Sequence, residues 1–291
     1  MRELSIRYIP IDFIKAKVVG LTPNFFYKNP LLKDPKSVYD GDELTKTIYK
    51  HKNLSIKIFE NNNRIEFSGS LHTFYNNGEH NYNDFNLTSF KMALNALYSD
   101  LGIRPHNLYL IHLEWGFNLI PPMPSNYILD REVQHNSINK TNAIDCPKDG
   151  KYCQFKHSTK ILKTYNKAKH FKLPYELFRI EIKQINWSKY RLMGIITLQD
   201  FIDADKKPFY DELIKQWQRV ILYDINEEMN NSYVKYQTAT YWDELRRNKS
   251  NKCFKYHFDK LDMLNKTIGF DTKDKMTELI IKKGNELQLK I

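Results

Sequence analysis

Lys160-Ile161-Leu162-Lys163-Thr164-Tyr165-Asn166-Lys167, followed by Phe178-Arg179-Ile180-Glu181-Ile182-Lys183, decides how this chain reads. Each is a short β-like run, and a strand sends alternate side chains to opposite faces. Lys163, Tyr165 and Lys167 therefore share one face of the first run, and Arg179, Glu181 and Lys183 share one face of the second. A phenol, several cations and a carboxylate on a sheet surface are the parts of a phosphate-handling, metal-assisted site. A solvated sheet face carrying an ordinary tyrosine would give the same pattern.

The nearest upstream strand is Ile111-His112-Leu113-Glu114-Trp115-Gly116-Phe117-Asn118. Ile111, Leu113, Trp115 and Phe117 fall on one face; His112, Glu114 and Asn118 fall on the other. A His and a Glu two apart on a strand can both ligate one Mg2+ or Mn2+. Glu181 on a neighbouring strand would extend that shell, and such a metal would polarise a phosphodiester for attack. A half-buried strand with a wet polar face is the alternative. A tyrosine can itself be the nucleophile on a phosphodiester, leaving a phosphotyrosine and a 3′-hydroxyl. Tyr165 stands out among 19 tyrosines because Lys163 and Lys167 flank it on its own face, where they would stabilise phenolate and phosphorane charge.

Further along, Tyr233, Lys235, Tyr236, Tyr241, Trp242, Arg246 and Arg247 interleave aromatics with cations. Such a set can stack bases and hold phosphates; at helical spacing it also reads as core. Cys146, Cys153 and His157, with His135, lack the paired-cysteine spacing of a zinc site. There is no P-loop, Gly-x-Gly-x-x-Gly, His-Glu-x-x-His or Gly-x-Ser-x-Gly, which removes the usual NTPase, dinucleotide, zinc-protease and α/β-hydrolase readings.

Periodicity around these segments predicts an α+β fold. Residues 4–20 read as one or two strands, and residues 22–50 as loop punctuated by Pro23, Pro30, Pro35 and Gly41. A hairpin follows, from Leu54 to Glu60 and back from Arg64 to Phe74, turning at Asn61-Asn62-Asn63. Phe90, Ala93, Leu94, Leu97, Tyr98 and Leu101 give helical spacing between an Asn86 or Thr88 cap and Gly102. Strands are expected over 108–119, 151–157, 159–168 and 175–185, then helices to the end. The expected architecture is a central antiparallel sheet with packed helices over residues 1–205, followed by a basic α-helical DNA-binding region over 206–291. From Arg246 to Ile291 twelve Lys/Arg stand against six Asp/Glu.

The whole chain of 291 residues carries a formal net charge of +11, which predicts a polyanionic partner. A lysine-rich composition from an AT-rich genome would also produce it. Three cysteines, an odd and sparse count, point away from a disulfide framework and toward a reducing compartment. The start shows no signal-peptide apolar core and no run is long enough to cross a bilayer, so a cytoplasmic protein without a membrane partner is expected.

Three blocks, in order, resemble the replication initiation proteins of rolling-circle plasmids and single-stranded DNA phages: His112-Leu113-Glu114-Trp115-Gly116-Phe117-Asn118, Lys163-Thr164-Tyr165-Asn166-Lys167 and Arg179-Ile180-Glu181. The likeness covers roughly residues 105–200. It implies a relaxase-like α+β domain that nicks and rejoins one strand at a replication origin through a tyrosine and Mg2+ or Mn2+, in a bacterial host. Carried onto this chain, the resemblance implies Glu114 and Glu181 as metal ligands, which the strand spacing extends to His112; Tyr165 is the expected nucleophile, with Lys167 beside it in the catalytic pair. From the residues themselves, Lys163, Lys167 and Arg179 are expected to position phosphate, and the basic helical tail with Arg246 and Arg247, outside the span of the resemblance, to bind origin DNA, single-stranded or supercoiled. A host helicase and a second copy of the chain are further possible partners. Asn166 stands where the family has a carboxylate beside the tyrosine, no two-histidine metal motif is visible, and Tyr152 and Tyr190 are alternative nucleophiles. A non-catalytic, sequence-specific DNA-binding protein of a phage or plasmid is the other reading.

Overall fold

A computed structural model describes residues 7–142, 152–224, 233–267, 269 and 271–289 of the chain. Alternating apolar residues start it in β1 (Ile11–Val18), which leads through the short α1 (Pro23–Tyr27) to β2 (Lys36–Asp40) and β3 (Glu43–His51). The expected hairpin forms as β4 (Leu54–Phe59) and β5 (Arg64–Ser70). Its return arm stops at Ser70, whose hydroxyl accepts the Thr73 N–H and so opens α2 (Leu71–Tyr75). The helix α3 (Leu87–Leu101) is capped by Asn86 and ends at Gly102, which adopts the left-handed φ of 63°.

Next come β6 (Leu108–Leu119), α4 (Ser125–Arg131), β7 (Glu132–His135), β8 (Ile138–Asn139), β9 (Thr141–Asn142), β10 (Tyr152–Lys156) and β11 (Lys160–Asn166). The chain then runs through α5 (Lys167–Phe171), β12 (Phe178–Gln184), α6 (Ser188–Leu192), α7 (Leu198–Asp203), α8 (Lys207–Gln218) and β13 (Val220–Leu222). It closes with α9 (Ala239–Asn248), α10 (Asn251–Thr267) and α11 (Thr272–Leu289).

Ten strands make one sheet in the order β2-β3-β4-β5-β1-β6-β12-β11-β10-β9, antiparallel at every pairing; β13-β7-β8 make a second, small sheet. The expected class, an antiparallel sheet with packed helices and a helical C-terminal region, is what the chain adopts. Among the described residues no helix is long and apolar enough to cross a membrane.

One expectation changes. Residues 36–51 are strands rather than loop. β2 is the sheet edge and exposes Lys36, Ser37, Tyr39 and Asp40, while β3 buries only Thr47 and Tyr49, so neither shows apolar alternation. Buried residues on both sides of 205/206 share one cluster. Phe209, Leu213 and Trp217 of α8 and Met276, Ile280 and Leu287 of α11 sit in the same buried cluster as Trp115, Phe117, Phe178 and Ile180 of the sheet. Trp115 Nε1 donates to the Phe209 carbonyl at 3.0 Å, and Trp217 Nε1 to the Lys273 carbonyl at 3.0 Å. A smaller core joins Val133 and Ile221 to Tyr236, Trp242, Leu245 and Leu261.

Candidate active site

Strand register assembles the site. Across β6, β12 and β11, Asn118 lies opposite Arg179, which lies opposite Tyr165; Gly116 lies opposite Glu181, which lies opposite Lys163; Glu114 lies opposite Lys183. On β10, Tyr152 lies opposite Tyr165. Residues directly opposite one another share a face, so the three sequence blocks converge on one patch of sheet. Their alternate residues, Trp115, Phe117, Ile180, Ile182 and Leu162, are buried in the main core behind it. Gly116 is required in the middle row: a Cβ there would lie 2.0 Å from the Ile180 carbonyl oxygen and 2.6 Å from Glu181 Cα.

The floor of the patch is an ion network. Lys163 Nζ donates to Glu114 Oε2 at 2.6 Å and to Glu181 Oε1 at 3.1 Å. Arg179 Nε donates to Glu181 Oε2 at 2.9 Å, and Lys183 Nζ pairs with Glu114 Oε1 at 3.0 Å. Burial works against the Glu181 charge, but Lys163, Arg179 and Lys167 outweigh it and hold this carboxyl at about 2. Burial and the Glu181 charge push Glu114 up instead. Lys163 is the reverse case: burial opposes its charge, yet Glu181 and Glu114 hold the ammonium above its ordinary range.

Asp12, His72, Asn81 and Asn83 were not singled out in the sequence, whereas Asn118 was read as part of the polar face of β6. Asp12 enters the site through a bulge: β1 has one residue more than β6 between Ile11 and Ile14. Its carboxylate faces Arg179 Nη2 at 3.6 Å and accepts from Asn81 Nδ2 at 2.7 Å and from the Ser70 hydroxyl. Asn118 accepts from Arg179 Nη1 at 3.2 Å and donates to the carbonyls of Asn81, Tyr82 and Asn83. His72 donates to Asn83 Oδ1 at 2.6 Å, and burial lowers it to about 4, so it is neutral at pH 7. An acidic residue inside the apolar run Ile11-Asp12-Phe13-Ile14 was the available signal for Asp12; the bulge broke the period that would have placed it.

Tyr165 stands at the partly exposed rim, its ring stacked on Tyr152 at 5.0 Å and 19°. Burial, then the Glu181 charge, raises its hydroxyl well above the ordinary phenol range, so it is protonated at neutral pH. Lys167 Nζ lies 5.9 Å from the Tyr165 ring centroid. That amine is buried without a hydrogen-bond partner among the described residues. Burial, reinforced by Arg179 and opposed by Asp12 and Glu181, lowers it to about 7. Near neutral pH this amine is therefore about half protonated, next to a phenol that keeps its proton. Asn166 points the other way. Its Oδ1 caps α5 by accepting the Lys169 N–H at 2.8 Å and its Nδ2 donates to Asn126, so it occupies a structural post behind the site. Tyr190 is buried in the core, stacked on Phe209 at 4.7 Å, whereas Tyr152 belongs to the rim.

The expected metal ligands do not form a metal-holding set. Among the described residues no three His, Cys, Asp or Glu side chains group to hold an ion. All four oxygens of Glu114 and Glu181 are already held by Lys163, Lys183 and Arg179. His112, half-buried, lies opposite Lys15 on β1, and burial with Lys183 and Lys15 lowers its pKa.

The four expected DNA contacts are placed unequally. Arg179 is 2% exposed and committed to Glu181, Asn118 and Asp12, so it braces the site from below. The Lys163 side chain retains 12% exposure. Arg246 donates to the Asn136 carbonyl, lies 3.7 Å over the Phe254 ring and lines a cavity of about 410 Å³ with Arg219 and Lys255; Arg247 is exposed at the end of α9. Cys146 lies outside the described residues. Cys153 is buried against the Leu129 carbonyl, and His135 meets His157 at 2.6 Å.

No family model and no curated protein matches this chain. Among solved structures it is similar to a rolling circle replication initiator protein from Geobacillus stearothermophilus. That match has a TM-score of 0.42 and 10% sequence identity, and covers 87% of this chain and 95% of that one.

Proposed function

We propose that this chain cuts and rejoins one strand of DNA as an initiator of rolling-circle replication, with Tyr165 as nucleophile and Lys167 as its base. The observation that carries the reading is the pairing of a rim tyrosine whose hydroxyl stays protonated with a buried amine, without a hydrogen-bond partner among the described residues and held at about 7. The order of the three motif blocks and the +11 charge support a nucleic-acid substrate.

In this reaction the Tyr165 oxygen forms a bond to the scissile phosphorus as its proton passes to Lys167 Nζ. The bond from phosphorus to the 3′ oxygen breaks, and that oxygen takes a proton from solvent. The products are a phosphotyrosine on the 5′ side and a free 3′-hydroxyl, whose attack on the phosphotyrosine rejoins the strand. Lys183, at the more exposed edge of the ion network, and Lys163 at its centre offset charge developing on the phosphorane.

The test uses supercoiled and single-stranded circular DNA carrying the origin, and reads a protein–DNA adduct that survives denaturant. The wild-type chain is expected to form it. Tyr165→Phe is expected to lose it while retaining DNA in a gel shift. Undiminished adduct from that variant removes Tyr165 from the role, and mapping the modified peptide then names the residue.

A further inference from the structure

We propose that Lys163 takes the place of a divalent metal ion between Glu114 and Glu181, so that the site is complete without bound Mg2+ or Mn2+. Two buried carboxylates on adjacent strands, beside a nucleophile, are the usual donors for such an ion. Here the position between them is filled by an ammonium reaching in from the third strand, 2.6 Å from one carboxylate and 3.1 Å from the other. Their outer oxygens are occupied as well, one by Lys183 at 3.0 Å and one by Arg179 at 2.9 Å. Each of the four carboxylate oxygens thus already faces a cation, where a divalent ion would have to compete with an ammonium or a guanidinium.

Charge balance points the same way. The ion-paired groups of the cluster are three carboxylates, Asp12, Glu114 and Glu181, and three cations, Lys163, Arg179 and Lys183, and the Lys167 amine, about half protonated at neutral pH, adds positive charge beside them. A divalent ion added to this balanced set would leave excess positive charge in a largely buried space, which low-dielectric surroundings penalise. An ion could enter only by displacing Lys163, whose ammonium has two carboxylate partners here and would have to find others.

The converse follows. With Lys163 truncated, Glu114 and Glu181 lose their shared cation and become a vacant acidic pair with oxygens free to ligate. Lys163→Met is therefore expected to create the metal site that the wild-type chain lacks, and Lys163→Arg is not.

The experiment titrates Mn2+ into wild-type, Lys163→Met and Lys163→Arg proteins, following heat of binding and the thermal midpoint, and runs the adduct assay on wild type in EDTA. Expected are no Mn2+ binding and no midpoint shift for wild type and Lys163→Arg, and saturable binding with a raised midpoint for Lys163→Met. Glu114→Gln added to Lys163→Met is expected to abolish that binding. Adduct formation by wild type is expected to be unchanged in EDTA. Stoichiometric Mn2+ binding by wild type that Glu114→Gln removes, or adduct formation that EDTA abolishes, overturns the proposal. If Lys163→Met does not fold, the wild-type titration with its Glu114→Gln control decides alone. The completed-site claim needs only the cluster; the EDTA arm rests on the nicking reading. Absence of adduct under every condition therefore defeats that reading, while the Mn2+ titration still decides the role of Lys163.

Discussion

At the scale of single residues, Lys167 has the sharpest consequence. Its amine titrates at about 7 in the folded chain, below the 10.5 of an ordinary lysine, because burial, aided by Arg179, opposes the charged form. The unfolded chain therefore binds this proton between about 7 and 10.5 while the folded chain does not, and stability rises with pH across that window. Lys167→Met removes the buried cation. Its gain in thermal midpoint over wild type is expected to be largest at and below pH 7 and to shrink toward pH 10.5. A gain that is flat with pH would show that Lys167 is not a depressed amine. For catalysis the same ionisation predicts an acid limb. Adduct formation should fall about tenfold per pH unit below a midpoint near 7, as expected for a base that must be neutral. Lys167→Arg, charged at every accessible pH, should form no adduct across the range.

At the scale of elements, β7 shows how position overrides pattern. Its four residues, Glu132, Val133, Gln134 and His135, are all buried, so no alternation marks it as a strand. Gln134 ties it to α9, donating to Asp243 at 2.7 Å and to the Ala239 carbonyl, while Glu132 accepts from Thr164 on β11 at 2.7 Å. Burial raises the Glu132 carboxyl to about 8, against the Thr164 hydrogen bond and Lys140. A raised acid contributes stability that is intact below about 4.5 and lost as pH climbs through about 8. Glu132→Gln can still accept from Thr164 and cannot ionise. It should match wild type at pH 4 and exceed it above pH 8 in urea midpoint, and equal midpoints at pH 9 would place the Glu132 carboxyl within the ordinary range. The elements legible in the sequence are those whose period survives folding: the β4–β5 hairpin, α3 between Asn86 and Gly102, and β6 with its His112, Glu114 and Asn118 face. β2 was hidden because an edge strand needs no apolar face, β3 because it buries only Thr47 and Tyr49, and Leu71 to Phe74 because the Ser70 cap turns an apparent strand into α2. In the site, Glu114, Lys163, Tyr165, Arg179 and Glu181 were legible as a shared face. Their pairing into a closed ion network was not, since it depends on which strands neighbour which.

At the scale of the whole molecule, composition suggested a basic helical appendage after residue 205, whereas the helices there complete the body. The ring of Phe209 lies 5.2 Å from Trp115 and 4.7 Å from Tyr190, and Trp217 faces Phe178 at 6.3 Å. On α11, Gly284 passes so close to Tyr210 that a Cβ would sit 2.5 Å from its ring, which locks α11 against α8. Removing residues 206–291 would uncover Trp115, Phe117, Phe178, Trp187 and Tyr190, all buried in the intact chain. Exposing a large apolar side chain costs roughly 1.5–3 kcal/mol, and a domain's whole stability is about 5–15 kcal/mol. Five such losses approach or exceed the total. A fragment of residues 1–205 is therefore expected to show no cooperative thermal transition and to bind a hydrophobic dye, while the full chain melts sharply. The same fragment keeps Asp12, Glu114, Tyr165, Lys167 and Glu181 in sequence, so its failure to form adduct would come from loss of the scaffold that aligns β6, β12 and β11. A cooperative melt from the fragment would instead mean that the sheet carries its own core and that α8 and α11 are additions to it.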